Sequence, residues 1–416
     1  MGRLSFSATW LLIVGSLAGC VVYDPALVQR AGSCDARHPP VRPTGTDTSM
    51  TGDVSFGLRD VVLQQTAAMA RMTGYDLDNR CTDATNHDTE CTPAMGAPVA
   101  LDGDNGIDNQ FGAVLYPLIE GAIPGLQDRA RTAQMAGNGL PILRMRGWNG
   151  TMNDPLVDVT ITAAVFSTAG TGMTTAPMVH ITDATHYTLA DGSAVPAPVW
   201  DGQDFAWVRD DSFVGGDLDM PLVRDQQAYI VNGLVVAHLP ERVDIVFPTD
   251  TVGVLVRLTG AVATGQLSAD GNMLTNVVVA GRWSTTDLLS TAENVGLCRS
   301  TVQYGILQSQ LARDADVRST SPQPGDPMLD CDALSIGVGF TGFRMRIAGV
   351  TTGLEITDQC TIDGGVPDSG TLDANMSMPD GGMDAGNDGG SDAGHDAGHD
   401  AFTPGDSNVD SNVDAP

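Results

Sequence analysis

In Val157-Asp158-Val159-Thr160-Ile161-Thr162-Ala163-Ala164-Val165 the odd positions are apolar and most even ones polar. That period of two belongs to a strand with one buried face. Phe205 to Val208, Ala228 to Val231 and Leu234 to Leu239 continue it, and the last two flank Asn232-Gly233, a pair suited to a two-residue hairpin turn. Val54 to Leu63, Leu140 to Arg146 and Ser335 to Val350 also read as strands. Val254 to Val262 and Met273 to Trp283 form another hairpin, turning near Asp270-Gly271-Asn272. Short strands at a spacing of roughly ten residues, joined by Gly-rich turns, predict a mostly β fold, a β-sandwich or jelly roll with a few short helices. The helices are expected over Gln64 to Met72, Ala113 to Ile123, Leu126 to Met135, Ser284 to Glu293, with Ser284 as cap, and Thr301 to Arg313.

Composition sharpens this. All 21 basic residues are Arg, and 46 of the 51 acids are Asp. Aspartate disfavours helix interiors and favours turns and caps. A formal charge of −30 argues against nucleic acid and against electrostatic attraction to anionic lipid. From residue 361 the chain is dominated by Asp, Gly, Ala, Ser and Pro, with Asp380, Asp384, Asp388, Asp392, Asp396 and Asp400 every four residues. A helix would stack those charges on one face, so a disordered acidic C-terminal tail is expected over 361–416.

Near the start of the chain stand Arg3, a short apolar run from Leu4 to Gly15, and then Leu17-Ala18-Gly19-Cys20. This ending resembles the bacterial lipobox, in which cleavage precedes a cysteine that becomes lipidated. The resemblance implies a signal peptide over 1–19 and an acylated Cys20 that partners the membrane. Several acyl chains at about 0.8 kcal/mol per buried CH₂ make such an anchor effectively permanent. Val21, in place of the Asp of inner-membrane retention signals, points to an outer-membrane lipoprotein on the periplasmic or cell-surface face. Residues 20–50, rich in Pro, Gly, Thr and Arg, read as a tether, and 51–360 as one β-rich domain.

Six cysteines remain: Cys34, Cys81, Cys91, Cys298, Cys331 and Cys360. An even number in an exported chain reads as disulfides. Cys81 to Cys91 is the most local pairing, and Cys298 to Cys331 is favoured among the three arrangements left to the other four.

Within the Asp-rich loops at 74–112, two runs carry the chemistry of a hard-cation site. Gly74-Tyr75-Asp76-Leu77-Asp78-Asn79-Arg80-Cys81 and Leu101-Asp102-Gly103-Asp104-Asn105-Gly106-Ile107-Asp108-Asn109 set carboxylates two residues apart among turn-forming residues. Calcium takes six to eight oxygens and is wrapped by short acidic side chains on irregular loops. Asp102, Asp104 and Asp108 fall at positions 1, 3 and 7 of such a loop, which resembles thrombospondin type 3 repeats and, more distantly, an EF-hand. Gly106, Ile107 and Ala113 depart from the EF-hand at positions 5, 6 and 12, so a complete site needs Asp76, Asp78 and Asn79 as well. A Cys81–Cys91 bridge would fold the runs together. The blander alternative is a pair of turns whose carboxylates cap backbone N–H groups.

The lipobox, both Asp runs, the Trp148-Asn149-Gly150-Thr151-Met152-Asn153-Asp154 turn and the β-rich remainder together resemble surface lipoproteins plentiful in myxobacteria. That likeness implies no particular activity. The chain carries no His-Glu-x-x-His, P-loop or dinucleotide fingerprint. The expectation is therefore a non-enzymatic, calcium-stabilised surface lipoprotein with a structural, adhesive or binding role toward a glycan or surface protein. Trp148, Trp200, Trp207 and Trp283 suggest an alternative, a carbohydrate-binding module stacking sugars on exposed rings. A hydrolase with an unrecognised site is a more distant possibility.

Overall fold

A computed structural model describes residues 35–45, 52–122, 124–182, 186–239, 242–248, 253–322, 328–353 and 358–360. The expectations for the signal peptide, Cys20 and the acidic tail lie outside them. The protein is mostly β, with a large sheet and few short helices. Its strands are β1 (Gly52–Val62), β2 (Pro141–Trp148), β3 (Asp154–Thr168), β4 (Val179–Ile181), β5 (Tyr187–Leu189), β6 (Phe205–Arg209), β7 (Arg224–Val231), β8 (Leu234–His238), β9 (Val243–Pro248), β10 (Gly253–Leu267), β11 (Met273–Ser284) and β12 (Ala333–Thr351). The helices are α1 (Ala67–Ala70), α2 (Tyr116–Ala122), α3 (Leu126–Met135), α4 (Thr285–Asn294) and α5 (Val302–Asp314), and a π-helical turn over Phe111–Leu115 leads into α2.

The pairings close on themselves. Taken in turn, β1, β2, β3, β7, β8, β10, β11 and β12 each pair with the next, and β12 returns to β1, every junction antiparallel. Closure removes the sheet edges that would otherwise offer unpaired backbone groups. One continuous core lines the ring, drawing Phe56, Leu143, Val159, Ile230, Val235, Ala263, Val279 and Ile336 from the eight strands. Bending strands this far calls for bulges. Asp60 and Asn276, both at positive φ, sit inside the register shifts of β1 and β11. The Asn232-Gly233 turn has the positive φ values, 51° and 80°, that a tight hairpin needs.

Strands β3 and β12 run on past the ring. There β6 pairs antiparallel with β3 and parallel with β12, building a second layer over the outer face of β2. Leu140, Ile142, Ala206 and Val208 form its small core. At one end of the ring, Phe111, Leu115, Leu126, Leu288 and Leu311 bring the helices onto the main core. Ser284 caps α4 as expected, its Oγ accepting from the Asp287 N–H at 3.0 Å.

Both expected disulfides are corrected. Cys91 is bonded to Cys331 and Cys298 to Cys360, with Cα–Cα distances of 5.0 and 5.4 Å. Cys81 is also disulfide-bonded, with none of these four. Backbone pairing decides the first case: Thr92 N–H donates to Leu329 O at 2.8 Å and Cys331 N–H to Thr92 O at 3.0 Å, setting Cys91 beside Cys331. In the second, residues 358–360 return to the C-terminal end of α4, where a Cβ on Gly296 would lie 4.0 Å from Gln359 Cβ. Proximity in sequence is the weaker guide. The Cys91–Cys331 link spans 240 residues, and in the chain-entropy account such a span stabilises by roughly 5 kcal/mol.

Part of the stretch read as tether is laid against the domain, between residues 37 and 42. Asp76 N–H donates to Arg37 O at 3.0 Å, the Tyr229 hydroxyl donates to Pro40 O at 2.6 Å, and Arg42 lies over the Tyr229 ring at 5.2 Å.

Candidate metal centre

Two buried side chains bring the Asp runs together. Tyr75 is sunk into the protein with its hydroxyl 2.8 Å from Thr264 Oγ1, and Ile107 is buried beneath the second run. Tyr75 and Asp108 then pair as an antiparallel bridge, the Asp108 N–H reaching Tyr75 O at 3.1 Å. The second run closes by Gly103 N–H to Ile107 O at 2.7 Å, with Asn105 and Gly106 at left-handed φ values of 58° and 72°. Tight packing on β12 holds this in place: a Cβ on Gly337 would sit 2.2 Å from the Thr73 carbonyl oxygen.

As a result, one carboxylate oxygen from each of Asp76, Asp78 and Asp108 lies within 4.8 Å of the others. Backbone N–H groups hold one oxygen of each. Asp76 Oδ1 accepts from Asn79 N–H at 2.6 Å, Asp78 Oδ1 from Arg80 N–H at 2.8 Å, and Asp108 Oδ2 from Leu77 N–H at 2.7 Å. Asp76 Oδ2 is different. The side chain is fully buried, yet this oxygen has no hydrogen-bond partner among the described residues, and His38 Nε2 stands 3.8 Å away. Other buried aspartates show what an ordinary turn carboxylate does here. Asp204 accepts from Val199 and Trp200 N–H groups, Asp225 from Gln227 and His238, and Asp154 from Asn149 and Leu156.

Two more carboxylates border the three. Asp102 accepts from Thr82 N–H at 2.6 Å and stands beside Asp108. Asp316 accepts from Ser335 N–H at 2.8 Å. Burial, reinforced by the neighbouring Asp78 charge, pushes Asp76 up to about 8. Burial is also the main cause for Asp102, raised to about 7, and for Asp316, raised to about 7. Asp78 rises to about 6 through burial and the nearby Glu90 charge, offset in part by Arg282 and Arg80. Asp108 is held well above the usual carboxylate range by burial and by Asp78 and Asp102. Five carboxyls raised in this way crowd one another's charge, which a bound cation would relieve.

Beneath them lies a buried ion pair. Arg282, 1% exposed, is bonded through both amino nitrogens to Glu90, and it also donates to Leu77 O, in the loop between Asp76 and Asp78. Its Nη1 reaches Arg318 O at 2.7 Å, and Arg318 N–H donates to Glu90 Oε1 at 2.6 Å. Arg282 therefore fixes the first Asp run to β11 and to the segment after α5.

Not every residue of the expected site converges. Asp104 turns outward and pairs with Arg71 at 2.8 Å. Asn79 gives its backbone N–H to Asp76 and adopts a left-handed φ of 60°. Asp316, Glu90, Arg282 and His38 are the neighbours that sequence reasoning passed over. A cluster built only of carboxylates favours a hard cation such as calcium over zinc or copper. The tryptophans do not form an exposed platform: Trp207 stacks on Phe166 at 4.8 Å, Trp283 is buried, Trp148 bonds Thr151 O, and Trp200 lies under Arg59. No family model, curated protein or solved structure matches the chain.

Proposed function

We propose that the chain is a calcium-stabilised surface lipoprotein, held to the outer membrane through Cys20, whose β body serves a structural, adhesive or binding role. The observation that carries the calcium reading is Asp76 Oδ2, buried without a hydrogen-bond partner among the described residues on a side chain that clusters with Asp78 and Asp108. A divalent ion there would use that lone pair, neutralise the clustered charge and tie the two runs together, with Asp102 placed to join from the edge. Binding only to the folded state stabilises by about 4 kcal/mol at a thousandfold excess over Kd. Millimolar calcium should therefore raise the melting temperature by several degrees and chelator should lower it. Superimposable melts would remove the calcium role.

Anchoring rests on Leu17-Ala18-Gly19-Cys20 after the apolar run. Cys20→Ala should move the protein from the detergent phase to the aqueous phase on Triton X-114 partition. An unchanged partition would exclude lipidation at this position.

A further inference from the structure

Residues 37–42 run from the Asp centre to β7. At one end the backbone of Arg37 joins both Asp runs. Its N–H donates to Asn105 O at 2.8 Å, in the second run, and its carbonyl accepts from Asp76 N–H at 3.0 Å, in the first. The Arg37 guanidinium donates to Met72 O and lies 5.4 Å from the centre of the Tyr75 ring. His38 Nε2 stands 3.8 Å from Asp76 Oδ2. At the other end the Tyr229 hydroxyl donates to Pro40 O, while Arg42 donates to Pro155 O at 3.2 Å and lies over the Tyr229 ring.

The Asp76 side chain offers no surface to solvent and Asp108 is 4% exposed, so an ion enters only when part of their cover moves. Tyr75 and Ile107, both buried, anchor the two Asp runs themselves in the protein. By contrast, none of residues 35–45 is buried, and the contacts that seat them are polar or lie against aromatic rings. Segments with few buried apolar contacts are the first to open locally. The piece of cover that bridges the two runs is thus also the most weakly held.

We infer that residues 37–42 are an ion-coupled strap: a divalent cation among Asp76, Asp78 and Asp108 holds the strap seated, and its removal loosens it. The inference rests on the calcium reading above. An ion that draws Asp76 and Asp108 together fixes the spacing of the two runs, and Arg37 spans that spacing with one backbone hydrogen bond to each. Without the ion the clustered carboxylates oppose the same spacing, and one residue cannot keep both bonds as the runs part. Coupling between two binding equilibria is reciprocal. Whatever unseats the strap therefore weakens the ion by the factor that losing the ion weakens the seat. The strap is also the covalent path from the body toward Cys20, so the cation sets how much free chain separates body and anchor.

The test is hydrogen exchange of the full-length protein in detergent, in calcium and in chelator, with calorimetric titration of the same sample reporting whether calcium binds. The Arg37 amide should exchange roughly tenfold more slowly in calcium, measured against the amides of β3 as the reference for any global effect. Arg42→Ala removes the contacts on Pro155 and Tyr229 without touching an aspartate of the centre. It should weaken calcium binding roughly fivefold and speed Arg37 exchange in calcium. Calcium binding with Arg37 exchange unchanged, or Arg42→Ala binding calcium as tightly as the wild type, would overturn the strap and leave the calcium reading standing. No calcium binding at all would overturn both.

Discussion

Asp108→Asn should raise the melting temperature of the chelated protein at pH 8 and lower it, relative to wild type, in calcium. The side chains have nearly the same shape, and Asn can still accept the Leu77 N–H that Asp108 Oδ2 accepts at 2.7 Å. What changes is charge. Without a cation, Asp108 is buried and crowded by Asp78 and Asp102, so neutralising it relieves repulsion. With calcium bound, the same substitution removes an anionic ligand and forfeits much of the roughly 3–4 kcal/mol that saturating ion contributes. At about 2–4 °C per kcal/mol for a domain of this size, both shifts are measurable by scanning calorimetry. The pH dependence follows the same sign. Folded-state values of about 8 for Asp76, about 7 for Asp102 and Asp316 and about 6 for Asp78 lie above those of the unfolded chain. The protonated forms therefore favour folding, a contribution fully present below about pH 4 and lost as pH rises through 6 to 8. Chelated protein should lose stability across that window, and calcium should remove the loss. If Asp108→Asn shifts stability in the same direction under both conditions, the carboxylates are acting as turn caps and no ion is involved.

Arg282→Met should destabilise the fold by about 3–5 kcal/mol, because it leaves Glu90 charged and buried without its partner. The loss extends beyond one ion pair, since Arg282 also holds the Leu77 and Arg318 carbonyls. The double variant Arg282→Met/Glu90→Met should recover a large part of the cost, as apolar replacement of a buried pair often does. Leu77 separates two of the clustered aspartates, so the single variant should also weaken calcium binding. Urea unfolding at fixed calcium gives the comparison. A cost under about 1 kcal/mol for Arg282→Met would mean that water reaches Glu90 and that the pair does not brace the site.

Local pattern carried the strands well. The alternation in Val157–Val165 lies inside β3, the Asn232-Gly233 turn sits where its dihedral preference puts it, and Ser284 caps α4. Ring closure was not legible, because no residue of β1 announces that it pairs with β12 at the far end of the domain. The short strands β4, β5 and β9 went unread: three residues are too few to show a period, and β9 contains no turn signal of its own. Asp76, Asp78 and Asp108 come from the two runs whose spacing and turn chemistry suggested a site, whereas Asp104 lies outside the cluster, paired with Arg71. Asp316 and Glu90 could not be found, since they reach the site through tertiary packing alone. The cysteines failed for a related reason: Thr92 pairs with the segment before β12, and that ladder outranks the short span from Cys81 to Cys91.

Isothermal titration of the delipidated ectodomain with calcium at pH 8 asks the central question most directly. One site per chain should appear, with protons released as the raised carboxylates ionise, and it should vanish in the Asp76→Asn/Asp108→Asn double variant. A flat titration of correctly folded wild type, or the same isotherm from the double variant, would contradict a calcium centre at these residues.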